Sequence, residues 1–520
     1  MSNPEESELG HTIIADNHEP SNFDCYAVLT VDADENKELQ EPGVVYEIIE
    51  PDTDNKCFGI VDESTRMSDR DVISEELSQQ GSQDREPLTS TVLKLQTFRE
   101  SGLSTPVGRN AVERAGSEGI RTAYDIPAGG IPIGLYTLPS GLPEETTPVR
   151  LPPEYVVGPE AAHINIGGKT GYAKTSMGLV TCKSILTEPG LENETTVIAF
   201  NVKADDLLWV DKENEEIEDI DREIYDRMGI NPKPFGSVEV LAPEKPNAPN
   251  QPNSERIDAT PFSYVWEDVS SQVNLIVSQG DMDAKLRGVF NDLNRMMGAD
   301  NIIKFNDAIT DLDRLIQNNQ GDAWIDFPGA GQHNQYTVIK ARRVLEGTLA
   351  ELEGLLDGRA NEPDIENLIA PGQFNVIDIS ELPSTGQRLV VSKIRRDVTQ
   401  LLERNRAGVE NAIFFADELN KFAPRNPRGQ LARLKEELDD TAERGRAVGA
   451  TLLGVEQYPS EISSAIIGNV ATKAYSRLGR QEMEKVSLSR SNRSKKDDNH
   501  PPAVGLHDGE SRPLSGASSD

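Results

Sequence analysis

The 520-residue sequence is predicted to fold as an α/β protein with a mostly parallel sheet, a small β-barrel on its N-terminal side and a helical insertion. Three observations predict this. From HINI (163–166) onward, short and almost continuously apolar runs alternate with stretches of helical spacing, which is how strands buried on both faces and joined by crossover helices read. Between Phe23 and Val61 the runs are shorter and are separated by Asp, Asn, Pro and Gly breaks. Residues 280–357 carry apolar side chains at helical intervals.

Taken in order, residues 1–22 are polar and are expected to be disordered. YAVLTV (26–31), GVVYEII (43–49) and KCFGIV (56–61) read as strands of a small antiparallel barrel, within an N-terminal domain spanning 23–145. Residues 67–127 are richer in Ser, Gln and charge, with a helix-bearing stretch around Leu93 to Phe98. A further strand, IPIGLYTL (131–138), precedes a turn at Ser140-Gly141-Leu142-Pro143.

The second domain is expected over 146–480. HINI (163–166) is a strand running into a Gly-rich turn and a helix from Lys174 to Leu186. TTVIAFNV (195–202) and SVEVLA (237–242) follow as strands, then APEKPNAPNQPN (242–253) as a solvated loop. The block 280–357, with Val289, Phe290, Leu293, Met296 and Met297 and then Val344, Leu345, Leu349, Leu352 and Leu356, reads as an insertion that packs on itself. FNVIDIS (374–380) leads into a helix over 386–406; NAIFFAD (411–417), a charged helix (429–448) and ATLLGVE (450–456) complete the sheet. Residues 481–520 read as a polar, low-complexity and disordered tail.

Composition narrows the function classes. No run approaches 18 apolar residues, and the acidic start lacks a basic and apolar leader, so membrane-spanning and secreted readings find no support. Cys25, Cys57 and Cys182 show no CxxC spacing and the six histidines are scattered, so a disulfide scaffold or zinc module is not expected and the expected compartment is the cytoplasm. Neither HExxH nor GxSxG occurs, and His163 is read as structural. The formal net charge is −36, which argues against nucleic acid if it is spread evenly. It is not: residues 1–100 hold 24 acidic against 7 basic side chains, while 388–446 hold 13 Lys/Arg against 10 Asp/Glu. Arg388, Lys393, Arg395 and Arg396 are candidate DNA contacts there, or else solvated charges, and the expectation is a basic inner face with the acid turned outward.

GKTGYAKT, Gly168 to Thr175, fits the phosphate-binding template GxxxxGK[ST] except that Ala173 replaces the last Gly, and it lies between a strand and a helix as that template requires. Gly168, Lys169, Thr170, Gly171, Tyr172, Ala173, Lys174, Thr175 and Ser176 would bind a nucleotide, because backbone N–H groups at a helix start cradle phosphate. Lys174 would bridge the outer phosphates of ATP and Thr175 would ligate Mg²⁺. Alanine at 173 is expected only where φ stays negative. In IFFADEL, an apolar strand ends in two carboxylates: Asp417 for the Mg²⁺ shell and Glu418 to polarise the attacking water, unless the pair is a solvated strand end. Gln457, at the end of the next strand, is a candidate γ-phosphate or water contact, or an ordinary loop residue. Arg444 and Arg446 are candidate fingers reaching a neighbouring subunit, or a solvated helix face.

Together, LPSGLPEETTPVRLPPEYVVGPEAAHINIGGKTGYAKTS (138–176), FFADELNKFAP (414–424) and ERGRAVGATLLGVEQYPSEISSAIIGNVATKAYSRL (443–478) resemble the HerA/FtsK branch of P-loop motors, and HerA-like ATPases most closely. In those proteins the comparable runs read GxTGxGKS, DELHKFxP and GRxxGxxLxxxSQxPSEIS. The resemblance implies a RecA-like core that binds ATP and Mg²⁺. It further implies a homo-hexameric ring that translocates on or unwinds double-stranded DNA with a NurA-like nuclease, in DNA end processing and repair. By the same resemblance Gln457 is the sensor, and Arg446 aligns better than Arg444 as the finger. Ala173 and Asn420 depart from the pattern, and the polar run after Arg480 replaces a further strand and arm. Two other readings remain open: an ATP-bound scaffold for a nuclease or other effector in antiviral defence, and a pump ATPase of the conjugation or secretion type.

Overall fold

A computed structural model describes residues 9–491 apart from 15–17, 31–35, 52–55, 69–88, 100–104, 144–145, 159–161, 204–206, 278–281, 301–302 and 428–429. The expected disorder of 1–8, 15–17 and 492–520 therefore lies outside the described residues. The chain divides into two compact units. Among the described residues the first holds 9–151 with 223–229, and the second holds 152–222 with 230–491. The division falls at 151/152 and not at 145/146, because strand β8 (Pro148–Leu151) pairs with β7 (Ile131–Leu135) inside the first unit.

In the first unit, alternating burial closes six strands into an antiparallel barrel in the order β1-β2-β5-β4-β3-β6. These are β1 (Gly10–Ile13), β2 (Asp24–Leu29), β3 (Val45–Ile49), β4 (Cys57–Ser68), β5 (Thr89–Arg99) and β6 (Ala111–Arg114). Closure leaves no free sheet edge. The barrel corrects two expectations. Gly10–Ile13, inside the stretch expected to be disordered, is the strand that closes the ring by pairing β6 and β2. Leu93 to Phe98, read as helical, belongs to β5: Leu93 and Leu95 alternate with Lys94 and Gln96, so one face is buried and the other is not. Cys25 and Cys57 are free thiols in this core, beside Ala27, Tyr46, Phe58 and Val112.

The second unit carries a nine-stranded sheet ordered β12-β11-β16-β10-β17-β18-β9-β19, with β13 alongside β11. The strands are β9 (Ile164–Gly167), β10 (Thr195–Asn201), β11 (Val238–Lys245), β12 (Ala248–Pro252), β13 (Thr260–Phe262), β16 (Phe374–Asp378), β17 (Asn411–Asp417), β18 (Ala450–Glu456) and β19 (Thr472–Tyr475). From β11 to β19 every pairing is parallel, so all these strands end at one edge. Every residue of β10, β16, β17 and β18 is buried, as their apolar runs require. The α/β class predicted from the sequence is the class observed. One segment departs from it: the Pro- and Asn-rich stretch 242–253 is not a solvated loop but the turn and return strand of a β11–β12 hairpin at the sheet edge, where proline is tolerated.

The insertion consists of α-helices at Ala284–Asp300, Phe305–Asn318 and Gln335–Glu351, with a small hairpin between β14 (Trp324–Asp326) and β15 (Gln332–Asn334). It does not pack only on itself. Leu286, Phe290, Leu293, Phe305, Leu312 and Leu345 share one apolar cluster with Ile377 and Phe414 of the sheet. Trp266 joins them, edge-on to Phe305 at 5.1 Å. Burying each such side chain contributes roughly 1.5–3 kcal/mol. Residues 480–491, of which 481–491 lie in the stretch expected to be disordered, form a helix anchored by Glu482, whose carboxylate accepts from the Ser460 N–H (2.6 Å) and hydroxyl (2.8 Å). Among the described residues no helix is long and apolar enough to cross a membrane.

Candidate functional site

The carboxyl edge of a parallel sheet is where loops can converge on a ligand. Here β9 lies between β18 and β19, with Gly167 opposite both Glu456 and Tyr475. Its loop, Gly168–Ala173, is therefore held from both sides: the Gly168 N–H donates to the Glu456 carbonyl (3.1 Å), and the Lys169 N–H to that of Arg477 (3.1 Å). Arg477 also reaches the Tyr172 hydroxyl at 3.3 Å. Gly171 turns the loop at φ +84°, a conformation open to glycine at little cost. The helix that follows, α1 (Lys174–Thr187), packs closely on β17, since a Cβ on Gly178 would lie 2.5 Å from the Phe415 ring.

Ala173 sits at the junction of loop and helix with φ +48° and ψ +26°. The expectation that alanine would require a negative φ is thus overturned. The left-handed turn that starts the helix is kept, and the Cβ bears its strain, about 1–2 kcal/mol. Beyond it the first N–H groups of α1 have no acceptor within the helix, as at any helix start, and their dipoles favour an anion.

Lys174 folds its ammonium onto the Lys169 carbonyl at 2.8 Å. Burial lowers its pKa, a shift opposed by Asp417 and reinforced by the charge of Lys203. The Thr175 hydroxyl donates to Asp417 Oδ2 at 3.4 Å across 242 residues of sequence. Ser176 follows it in the first turn of α1 and is half-buried. Lys169 and Thr170 are exposed on the loop. Among the described residues no three His, Cys, Asp or Glu side chains gather in a metal-binding group. The hydroxyl and carboxylate at Thr175 and Asp417 are nevertheless hard oxygen donors of the kind Mg²⁺ takes.

Glu418 is in the left-handed region, φ +61° and ψ +53°, and its N–H donates to the Val455 carbonyl at 2.6 Å. A non-glycine residue held there is a strained one, and such strain collects at functional sites. Both carboxylate oxygens are taken: Lys203, just past β10, pairs with Oε1, and Lys421 with Oε2 at 2.6 Å. Burial pushes the Glu418 pKa up, but the two lysines more than offset it, so the group lies below its ordinary value and is ionised.

Two further residues escaped the sequence reading. Glu456 ends β18 fully buried, accepting a hydrogen bond at Oε1 from the Asn165 amide of β9, while Oε2 has no hydrogen-bond partner among the described residues. Burial pushes its pKa up to about 8, with Asp417 adding to the rise and Asn165 and Lys174 opposing it. Lys203 is the other. Its signal was present, since it follows an apolar run that must end at the same edge as the Gly-rich loop. Gln457 follows Glu456 at this edge and is half-buried.

Arg444 and Arg446 are not brought to the site. They precede β18 and so lie at the opposite, amino edge of the sheet; β18 alone, seven residues long, spans about 20 Å. Arg444 is exposed and pairs with Asp440 at 3.1 Å. At that same edge His163 is locked between two backbone groups, its Nε2 3.1 Å from the Ala442 carbonyl and its Nδ1 accepting from the Leu452 N–H at 2.9 Å. Of the candidate DNA contacts, two turn inward, while Arg388 and Arg396 are half-buried. Lys393 is buried with Asp397 and Glu362, Arg395 is buried with Thr441 (2.9 Å) and Glu437 (3.4 Å), and Arg396 reaches Ser271 at 3.1 Å. Two charges of 388–446, Lys393 and Arg395, are thus spent within the fold, whereas Arg404, Arg406, Lys421, Arg425, Arg433, Arg444 and Arg446 are exposed.

No protein-family model matches the chain, and no curated protein matches it. Among solved structures, the chain is similar to VirB4 of Thermoanaerobacter pseudethanolicus at 13% identity and a TM-score of 0.42, covering 70% of this chain and 88% of that one. It is similar to the unbound monoclinic form of the bacterial conjugative coupling protein TrwBdeltaN70 at 16% identity and a TM-score of 0.41, over 66% of this chain and 74% of that one. The plasmid coupling protein TrwB in complex with ADP and Mg²⁺ is similar at 15% identity and 0.42, over 66% and 76%.

Proposed function

We propose that this chain is a HerA-like ATP-hydrolysing motor that acts on double-stranded DNA. The observation that carries the ATPase reading is the meeting of Thr175 and Asp417 at the mouth of the GKTGYAKT loop, with Lys174 beside them and Glu418 one residue on. Lys174 and the backbone of 168–176 hold the phosphates of ATP, and Thr175 and Asp417 hold Mg²⁺, which shields their charge and draws electrons from the terminal phosphorus. Glu418 orients the attacking water and accepts its proton. Gln457, at the same edge, contacts the water or the γ-phosphate.

The DNA substrate, the homo-hexameric ring and a NurA-like nuclease partner rest on the resemblance of the three motif-bearing segments. Arg446, remote from its own site, acts as a finger only if a neighbouring copy presents it. The test is ATP hydrolysis with and without duplex DNA. Turnover is expected to rise on adding duplex and to vanish in Lys174→Ala; hydrolysis indifferent to DNA would remove the motor reading.

A second reading, an ATP-bound scaffold for a nuclease or other effector, is favoured by the double pairing of Glu418 with Lys203 and Lys421, which holds the water-activating carboxylate out of use. Assembly that needs ATP, together with partner activity that survives Glu418→Gln, would select it over the motor.

A further inference from the structure

The ion pairs on Glu418 differ in origin. Lys421 lies three residues along the same short turn, so its backbone travels with Glu418. Lys203 comes from another strand. β10 pairs in parallel with β17, Phe200 opposite Ala416, and this register carries Lys203 to the edge where β17 delivers Glu418. Its side chain is about half exposed at 45%, whereas that of Glu418 is 17% exposed, so the lysine is the partner with freedom to move. The charge of Lys203 is also felt at Lys174 on the Gly-rich loop.

Three ammonium groups, Lys174, Lys203 and Lys421, thus gather around Asp417 and Glu418. Two of them, Lys174 and Lys203, repel each other, and a dianionic phosphate between them removes that repulsion. Resting on the reading of this site as one for a nucleoside triphosphate, we propose that Lys203 is a γ-phosphate-responsive positioning residue, pairing with Glu418 Oε1 when no terminal phosphate is present and with that phosphate when it is.

The exchange has a direct consequence. When Lys203 leaves, Oε1 is uncovered while Lys421 still steadies Oε2, so the carboxylate gains a free acceptor for water in the same event that places the phosphate to be attacked. On this proposal a diphosphate, which lacks the terminal group, leaves Lys203 on Glu418 and the carboxylate covered. Hydrolysis then re-forms the Lys203–Glu418 pair as the terminal phosphate departs.

The experiment is calorimetric binding of ADP and of a non-hydrolysable ATP analogue, each with Mg²⁺, to the full chain and to Lys203→Gln and Lys203→Arg. One charge-assisted contact made only to the triphosphate predicts that Lys203→Gln weakens analogue binding about tenfold, with ADP binding within about twofold of wild type. Lys203→Arg, which keeps the charge, restores most of the preference. Equal loss for both nucleotides, or no loss for either, in variants that melt like wild type would overturn the proposal. If the wild-type chain binds neither nucleotide, the nucleotide reading itself fails, and the role of Lys203 fails with it.

Discussion

The Thr175 hydroxyl and the Asp417 carboxylate, 242 residues apart in the chain, meet at 3.4 Å because α1 starts where β9 ends and β17 stops at the same edge of the sheet. Asp417 is buried and supplies the negative charge opposite the helix start. Its proposed role at a divalent cation gives a clear expectation. Wild-type affinity for a triphosphate should fall when Mg²⁺ is removed by chelation, whereas Asp417→Asn should bind equally weakly with and without Mg²⁺. Turnover should drop by about 10²-fold or more. Nucleotide binding that keeps its Mg²⁺ dependence in Asp417→Asn would place the cation elsewhere.

Ala173 offers a test of backbone strain. Holding a Cβ at φ +48° costs about 1–2 kcal/mol, and glycine in its place gives back about 0.4–1 kcal/mol through the greater freedom of the unfolded chain. Ala173→Gly should therefore stabilise the chain by up to about 1.6 kcal/mol, read as a higher denaturant midpoint at unchanged slope. Ala173→Val should destabilise it, because β-branching makes this region worse. A loss of stability in the glycine variant would show that the alanine is not strained.

Glu456 predicts how stability varies with pH. Burial first, and then Asp417, raise its carboxyl to about 8, well above the 4.5 of an ordinary glutamate. A group raised on folding favours the folded state below its unfolded pKa, and that contribution is lost as pH rises through the folded value. Between about pH 4.5 and 8 the unfolded chain has released this proton and the folded chain retains it. Stability should accordingly fall with pH across that window, by at most about 1.4 kcal/mol per unit from this one group. Glu456→Gln keeps the hydrogen-bonding shape without the charge. Its stability relative to wild type should therefore rise steadily with pH, and parallel pH profiles would contradict the assignment.

What the sequence made legible follows from which forces are local. The buried strands were readable because NAIFFAD and ATLLGVE are apolar almost throughout, which is required of a parallel strand covered on both faces. The loop 168–175 was readable because its chemistry is written in consecutive residues. Leu93 to Phe98 misled because Leu, Lys and Gln are good helix formers, and only pairing with β2 and β4 makes their alternation decisive. Lys203 and Glu456 each look like a charge at the end of a strand. Their meaning depends on β10 lying beside β17 and β18 beside β9, an order that sequence spacing does not encode. The same holds for Lys393 and Arg395, which read as surface charge yet face carboxylates inside the fold.

His163, at the far edge from the loop, governs the acid side. Burial lowers its pKa to about 4, the Ala442 carbonyl opposes the shift and the charge of Arg446 adds to it, so the ring is neutral, donating from Nε2 and accepting at Nδ1. A base depressed on folding stabilises the folded state above its unfolded pKa, and that contribution is lost as pH falls toward the folded value. The window therefore runs from about 6.5 down to about 4. Across it the group removes on the order of 2–3 kcal/mol. Protonation also strips the Leu452 N–H of its acceptor, leaving two donors facing each other. Asparagine is the replacement of choice, since it tolerates the φ of +72° found here better than other residues with a side-chain amide. His163→Asn should be less stable at pH 7 but should lose less stability between pH 7 and 5 than wild type, as measured by urea unfolding at both values. An unchanged acid sensitivity would assign the transition to some other group.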